Sequence, residues 1–187
     1  MKTPTAEFVL PARVLHWLMA ALILAMLFIG VAMVSSVGEV RAVLIAWHRP
    51  IGMLILLLVI ARLWVRYRHS PPALPADLLR SMRFGAKASH WLLYGLMLLQ
   101  PLVGWAMTSA NGIPVTLIDG IRLPMWIPEN ALLYAWLRAA HGVLAYAFFA
   151  VILLHVGAAL YHALIRRDGV WQAMAGVRSA AVSEDEH

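Results

Sequence analysis

Four apolar segments, each long enough to cross a lipid bilayer, constrain this chain more than any other feature of its sequence. About 20 helical residues span the roughly 30 Å of bilayer hydrocarbon. The four segments cover about residues 14–37, 45–67, 88–110 and 139–165. The bilayer offers no water to satisfy backbone hydrogen bonds, so each segment is predicted to be a helix. The fold class is therefore an all-α, four-helix transmembrane bundle.

The composition agrees with a membrane protein and removes several kinds of redox centre. Hydrophobic residues make up 63% of the chain and charged residues only 13%, whereas soluble domains carry about 25% charged residues. Cysteine is absent, which excludes disulfides, thiolate-bound iron–sulfur clusters and covalently attached haem. The net charge of +6 comes from basic residues beside the apolar segments. We therefore expect membrane lipids as partners, and no nucleic acid.

The distribution of basic residues predicts the orientation of the bundle. If the N-terminus is cytoplasmic, 11 of the 15 basic residues lie on the inner side. The positive-inside rule then places both termini in the cytoplasm. The first apolar segment is too long for a cleavable signal peptide, and we expect it to remain as a span. The bundle is predicted to occupy residues 1–175, and the polar tail, 176–187, is predicted to be disordered.

Two connections between the predicted spans have distinctive compositions. The inner one contains Ser-Pro-Pro-Ala-Leu-Pro at 70–75, which predicts an extended connector. The outer one, residues 111–138, is the longest, and it carries Trp126, Tyr134 and Trp136. Because Trp and Tyr favour the headgroup zone, we expect this outer loop to lie on the membrane surface.

Histidines in the spans are the candidate functional residues, because ionisable side chains are rare at these depths. His141 and His155 lie 14 positions apart on the fourth span. That spacing corresponds to about 21 Å along a helix. Their side chains point to within about 40° of each other. Two haem groups, one near each membrane face, would fit this separation.

The predicted topology supplies a second histidine at each depth. His16 opens the first span on the inner side, where His155 lies. His48 opens the second span on the outer side, where His141 lies. The predicted haem-iron ligands are therefore His16 with His155, and His48 with His141. A zinc or copper site is the alternative, but histidines about 21 Å apart on one helix cannot share an ion.

Basic residues beside these histidines are candidates for binding the haem propionates. Arg13 and Arg138 each precede a candidate ligand by three positions, and Arg49 adjoins His48. A guanidinium group pairs well with a carboxylate. The alternative for each arginine is simple extension of the side chain to the membrane surface.

Two further histidines at the inner side suggest a quinone site. His162 follows His155 by seven residues, and His90 opens the third span. We expect them to border a quinone and pass protons to it, although contact with lipid headgroups is an equal alternative. His90 is also the main rival of His16 as a ligand. Three basic residues of the adjoining loop are candidates for holding an anionic form of the quinone: Arg80, Arg83 and Lys87.

Several short motifs together resemble the bacterial cytochrome b561 family from about Leu15 to about Met174. They are Leu15-His16-Trp17, Trp47-His48-Arg49-Pro50-Ile51-Gly52, His90-Trp91-Leu92-Leu93-Tyr94, Gln100-Pro101-Leu102-Val103-Gly104, Ala140-His141-Gly142 and His155-Val156-Gly157-Ala158-Ala159-Leu160-Tyr161-His162. The resemblance implies a four-helix membrane cytochrome with two b haems, the same four histidine ligands, and electron exchange with ubiquinone in the bacterial inner membrane. It also lends weight to His90 and His162 as neighbours of a quinone.

Three functions of different classes follow from these expectations. The resemblance includes superoxide oxidases, which pass an electron from superoxide at the outer face to ubiquinone. It also includes membrane anchors, which conduct electrons for a periplasmic oxidoreductase. The third function is a metal-ion transporter. Four basic residues on the outer side, offset by Glu39, Asp119 and Glu129, give a modest positive funnel for superoxide. The four are Arg41, Arg49, Arg122 and Arg138.

Overall fold

Four long helices form the body of the protein. The structure is a computed structural model that describes residues 7–75, 77–118 and 121–176. The long helices are α1 (Leu10–Ser35), α2 (Gly38–Arg68), α3 (Arg80–Ala110) and α4 (Ala131–Leu160). A π-helical turn, Tyr161–Arg166, continues α4, and a short helix α5 (Val170–Ala175) follows. Each long helix is apolar and long enough to cross a membrane, which confirms the predicted all-α fold with four candidate membrane-spanning helices.

A short β-ribbon, which the sequence did not predict, lies between α3 and α4. Strands β1 (Thr116–Ile118) and β2 (Ile121–Arg122) pair antiparallel, with Thr116 opposite Arg122. The indole of Trp105 in α3 donates a hydrogen bond to the carbonyl of Pro124 (3.1 Å) and so holds the chain after the ribbon against the helix. The predicted tail lies outside the described residues, apart from Gly176.

Three helices, α2, α3 and α4, begin seven or eight residues before the apolar segments that predicted them. α2 begins at Gly38, where a φ of +62° allows a tight turn directly after α1. α4 begins at Ala131, because the Asn130 side chain accepts a hydrogen bond from the Leu133 N–H (2.9 Å) and caps the helix. Tyr134 and Trp136 therefore lie in α4 and not in the outer loop, so that part of the loop prediction was wrong.

The helices pack in sequence order, α1 on α2, α2 on α3 and α3 on α4. Their small core includes Met19, Val59, Tyr94 and Phe148. Many other large apolar side chains are exposed, as helices that face lipid require.

The two ends of the bundle differ in what covers them. At one end lie the connector (residues 69–75 and 77–79) and both ends of the described chain, which are joined by a hydrogen bond from the Phe8 N–H to the Ala173 carbonyl (3.1 Å). The other end carries the α1–α2 turn and the β-ribbon. We call these the connector end and the ribbon end. The side of the membrane on which each lies stays a prediction.

Candidate functional site

The ribbon-end pair consists of His48 from α2 and His141 from α4. Their ring centres are 6.2 Å apart, with the ring planes at 72°. The Nδ1 atoms of both rings are buried and make no hydrogen bond within the described residues. Gln100 donates from its side chain to the His141 carbonyl (3.1 Å), which ties α4 to α3 at this level.

A glycine of α3 makes room for this pair. A Cβ atom on Gly104 would lie 3.2 Å from Cε1 of His141. That distance is short enough that any larger residue would have to push the imidazole away. Gly104 therefore helps to set the position of His141, and so of the pair.

The connector-end pair consists of His16 from α1 and His155 from α4. Their ring centres are also 6.2 Å apart, with the planes at 81°. The structure thus brings together both histidine pairs that the sequence predicted. His90 from α3 joins this end, with its ring centre 5.3 Å from that of His155. Its Nδ1 donates to the Ala86 carbonyl (2.6 Å).

The ring spacing suits a metal ion held between two imidazoles. A first-row transition metal binds an imidazole nitrogen at about 2.0–2.1 Å, so two opposite ligands place their ring centres about 6.3 Å apart. Both predicted pairs have nearly this separation, whereas His90 and His155 lie closer. The two pairs share no residue and still have the same ring spacing. This agreement favours His16 over His90 as the partner of His155.

A site built from several clustered protein ligands fits less well. The described residues contain no group of three or more His, Cys, Asp or Glu side chains placed to hold a metal ion. Structural zinc takes four ligands, and catalytic zinc takes three. Two imidazoles at this ring spacing would suit instead the iron of a haem, which the porphyrin also holds.

Charged and aromatic groups surround the connector-end pair. The Arg62 guanidinium, inside α2, contacts Nδ1 of His16 (3.0 Å) and donates to the Tyr94 hydroxyl (3.2 Å). Arg66, one turn further, lies 5.6 Å from the centre of the Tyr94 ring. Sequence reasoning assigned neither arginine nor Tyr94 to a site, although Arg62 lies within an apolar segment, where a charged residue is itself a sign of function.

The three arginines predicted to bind propionates have different surroundings. Arg13 pairs with Glu7 (2.9 Å) at the connector end. Arg138 is exposed and lines an open groove on α4 with Tyr134 and Gly142. Arg49 is partly buried beside His48.

The predicted quinone residues fall into separate groups. His90 lines a cleft with Arg62, Arg66 and Tyr94. The residues lining that cleft do not include His162, Arg80, Arg83 or Lys87. Arg80 and Lys87 are exposed, and Arg83 donates to the Pro75 carbonyl (3.4 Å).

His162 belongs to an ionic cluster that joins the end of α4 to the connector. Its Nδ1 contacts the Asp168 carboxylate (2.7 Å), which also accepts from Arg166 (2.9 Å). Arg166 in turn reaches Asp77 of the connector (2.6 Å). Burial opposes ionisation of Asp168, but hydrogen bonds from His162 and Arg166 outweigh it and lower the pKa of this carboxyl.

Comparison with known proteins identifies the family of this chain. Residues 7–176 match the family described as prokaryotic cytochrome b561. The chain belongs to this family. Its members are membrane cytochromes, and the family implies haem b as the cofactor.

Three relatives illustrate the range of similarity within the family. Cytochrome b561 homolog 2 of Escherichia coli (strain K12) is 25% identical over 172 residues, which cover 88% of this chain and 89% of that protein. Cytochrome b561 homolog 1 of the same organism is 26% identical over 65% of this chain and 68% of its own. The probable superoxide oxidase CybB of Yersinia pestis is 32% identical over 65% of this chain and 68% of its own.

Proposed function

We propose that this chain binds two haem b groups and passes electrons across the bacterial inner membrane to or from ubiquinone. One haem lies between His48 and His141, and the other between His16 and His155. The observation that carries this proposal is the common ring spacing of 6.2 Å in two pairs that draw on three different helices. By the positive-inside rule, the connector end faces the cytoplasm and the ribbon end faces the periplasm.

The side chains of the protein fix where and how electrons move. Bound haem b supplies a one-electron couple at each histidine pair. The two imidazoles of each pair would hold the haem iron, and electron transfer with a substrate would then be outer-sphere. α4 contributes one histidine to each pair, so this single helix sets the distance between the two centres.

The connector end is the proposed site of quinone exchange. His90 and His162 lie there, and His162 contacts the Asp168 carboxylate. We assign these histidines the transfer of protons to the reduced quinone. Arg80, Arg83 and Lys87 are the candidates for attracting its anionic form.

Superoxide is the proposed electron donor at the ribbon end. Two superoxide ions release two electrons and become two molecules of O₂. Ubiquinone takes up these electrons with two protons and becomes ubiquinol. Support comes from the relative named as a probable superoxide oxidase.

Stopped-flow reduction of the purified protein by superoxide tests this reaction. We expect the haem absorption bands to become reduced without any added protein, and ubiquinol to accumulate when ubiquinone is present. The His48→Ala variant should lose most of the rate. Haem reduction that is as fast in this variant as in the wild type would contradict entry of electrons at the ribbon end.

A second candidate function is that of a membrane anchor for a periplasmic oxidoreductase. Exposed apolar side chains at the ribbon end favour it, among them Met125 and Trp126, each 54% exposed. Co-purification of a partner subunit would support this function. Haem reduction that requires the partner, and that superoxide alone does not produce, would decide in its favour.

A further inference from the structure

A cation lies inside the second span, and its side-chain partners among the described residues are all neutral. Arg62 is partly buried, and its guanidinium contacts Nδ1 of His16 (3.0 Å) and the Tyr94 hydroxyl (3.2 Å). The Tyr94 ring also lies beneath it, 5.8 Å from ring centre to guanidinium carbon. Charged residues at such depths are costly and normally pair with an opposite charge or face a functional cavity.

Arg66 adds a second positive charge at the same place. Its guanidinium lies over the rings of Trp91 (5.7 Å) and Tyr94 (5.6 Å). Within the described residues, the ion pairs between arginine and carboxylate involve Arg13 and Arg166 only. Arg62 and Arg66 are thus two cations for which the described part of the chain offers no carboxylate.

The cleft between these arginines has room for a carboxylate group. Its volume is about 50 Å³, and it is lined by Arg62, Arg66, His90 and Tyr94 among others. A water molecule needs about 10–15 Å³ by this kind of measure, so the cleft has room for a group of a few heavy atoms.

The cleft borders the connector-end histidine pair. Arg62 contacts His16 of that pair, and the His90 ring is 5.3 Å from the His155 ring. We propose that Arg62, with Arg66 beside it, binds the propionate carboxylates of the haem between His16 and His155, and so positions this haem. This inference rests on the proposed two-haem arrangement. The residues proposed to bind the propionates are thus arginines within the bundle and not Arg13, whose charge is offset by Glu7.

The chemistry of His16 supports this assignment. A guanidinium can only donate hydrogen bonds, so Nδ1 of His16 accepts, and the neutral ring then carries its proton on Nε2. An imidazole that binds iron through Nε2 carries its proton on Nδ1 and donates it to an acceptor. The contact with Arg62 and the binding of iron therefore exclude each other. A carboxylate is a stronger hydrogen-bond partner for Arg62 than an imidazole, and it often accepts two hydrogen bonds from one guanidinium.

Haem with and without propionate charges tests the proposal. The full-length chain is used in a His141→Ala background, so that only the connector-end haem binds. After removal of haem, the protein is titrated with haem b or with its dimethyl ester, in which both carboxylates are neutral. We expect Arg62→Gln to weaken binding of haem b about tenfold, the effect of losing a hydrogen bond between charged groups. We expect Arg62→Lys to weaken it less.

Binding of the ester shows whether the effect of Arg62→Gln depends on the charge of the propionates or on a general change in the structure. Without propionate charges, Arg62→Gln and the parent protein should bind the haem equally well. The matched control is Arg68→Gln, because Arg68 lies on the same helix but over the ring of Trp64 (4.4 Å). This control should bind haem b as the parent does.

Several outcomes would overturn the proposal. One is unchanged binding of haem b by Arg62→Gln, and another is an equal loss with haem b and with the ester. If Arg62→Gln does not fold, the parent protein alone decides, because equal affinity for haem b and the ester excludes a propionate partner. Failure of the wild-type chain to bind any haem would instead overturn the proposed function itself.

Discussion

The two histidine pairs have the same geometry and different surroundings. Ring centres are 6.2 Å apart in each. At the ribbon end, the neighbours of His141 are neutral, namely Gly104 and Gln100, and the one arginine beside the pair in the described residues is Arg49, next to His48. At the connector end, a guanidinium contacts His16 and a third imidazole lies beside His155.

The comparison shows which properties of the site repeat and which do not. Ring spacing decides whether an iron can be held, and it is the same at both ends. Hydrogen bonds and charge around the ligands decide the reduction potential, and these differ. The protein therefore has two histidine pairs with equal ring spacing and different surroundings.

The largest expected effect is the selective loss of one haem. His48→Ala or His141→Ala should remove the ribbon-end haem, and His155→Ala the connector-end haem, since one imidazole does not replace a pair. A pyridine haemochrome assay should then find about half the wild-type haem per chain. Arg68→Gln is the control, because the Arg68 guanidinium lies over the ring of Trp64 (4.4 Å) and not in the cleft beside His16 and His155. Two haem groups per chain in any of these three ligand variants would contradict the proposed pairing of the histidines.

A second prediction separates His16 from His90 at the connector end. His16→Ala should remove one haem, because only His16 has the 6.2 Å spacing to His155 that an iron requires. His90→Ala should retain both haems, and quinone reduction should slow. The opposite pattern of haem content in the two variants would show that His90 is the ligand and that ring spacing is a poor guide.

A smaller effect is expected from crowding the ribbon end alone. Gly104→Ala places a methyl group 3.2 Å from His141, and the imidazole must move by a few tenths of an ångström. We expect affinity for the ribbon-end haem to fall about tenfold, as overpacking typically costs. Gly95→Ala on the same helix is the matched control, since its Cβ would have no neighbour within 4 Å. An equal effect of both variants would mean that helix stability, and not contact with His141, is responsible.

The smallest effect concerns the ionic cluster at the connector end. The pKa of Asp168 is below its ordinary value of 3.8, so the carboxylate stabilises the fold at pH values above about 3.8 and loses this effect as the pH falls further. Asp168→Asn should lower stability at pH 7 by about 1 kcal/mol. Thermal unfolding in detergent should show this difference at pH 7 and a smaller one near pH 3. A difference that grows as the pH falls would contradict the sign of the pKa shift.

The sequence was sufficient to predict the fold class and both histidine contacts. Long apolar segments admit only helices in a bilayer, and a helix converts the spacing of His141 and His155 directly into depth and direction. The neighbouring helices then have one histidine at each depth. These inferences needed no knowledge of how side chains pack.

The surroundings of the pairs were much harder to predict. Contact between Arg62 and His16 joins residues 46 positions apart, and it depends on how α1 and α2 are rotated about their axes, which periodicity does not determine. The early start of α4 depends on a single capping contact at Asn130. The position of Arg62 within an apolar segment was the one available signal for the cleft.

The number of haem groups in the wild-type protein tests the central claim most directly. Purified protein, expressed with ample haem supply, should give a pyridine haemochrome count of two haem b per chain. A redox titration should show two components of equal amplitude, because the two pairs differ in their surroundings. A single haem per chain, or protein without a Soret band, would contradict the account.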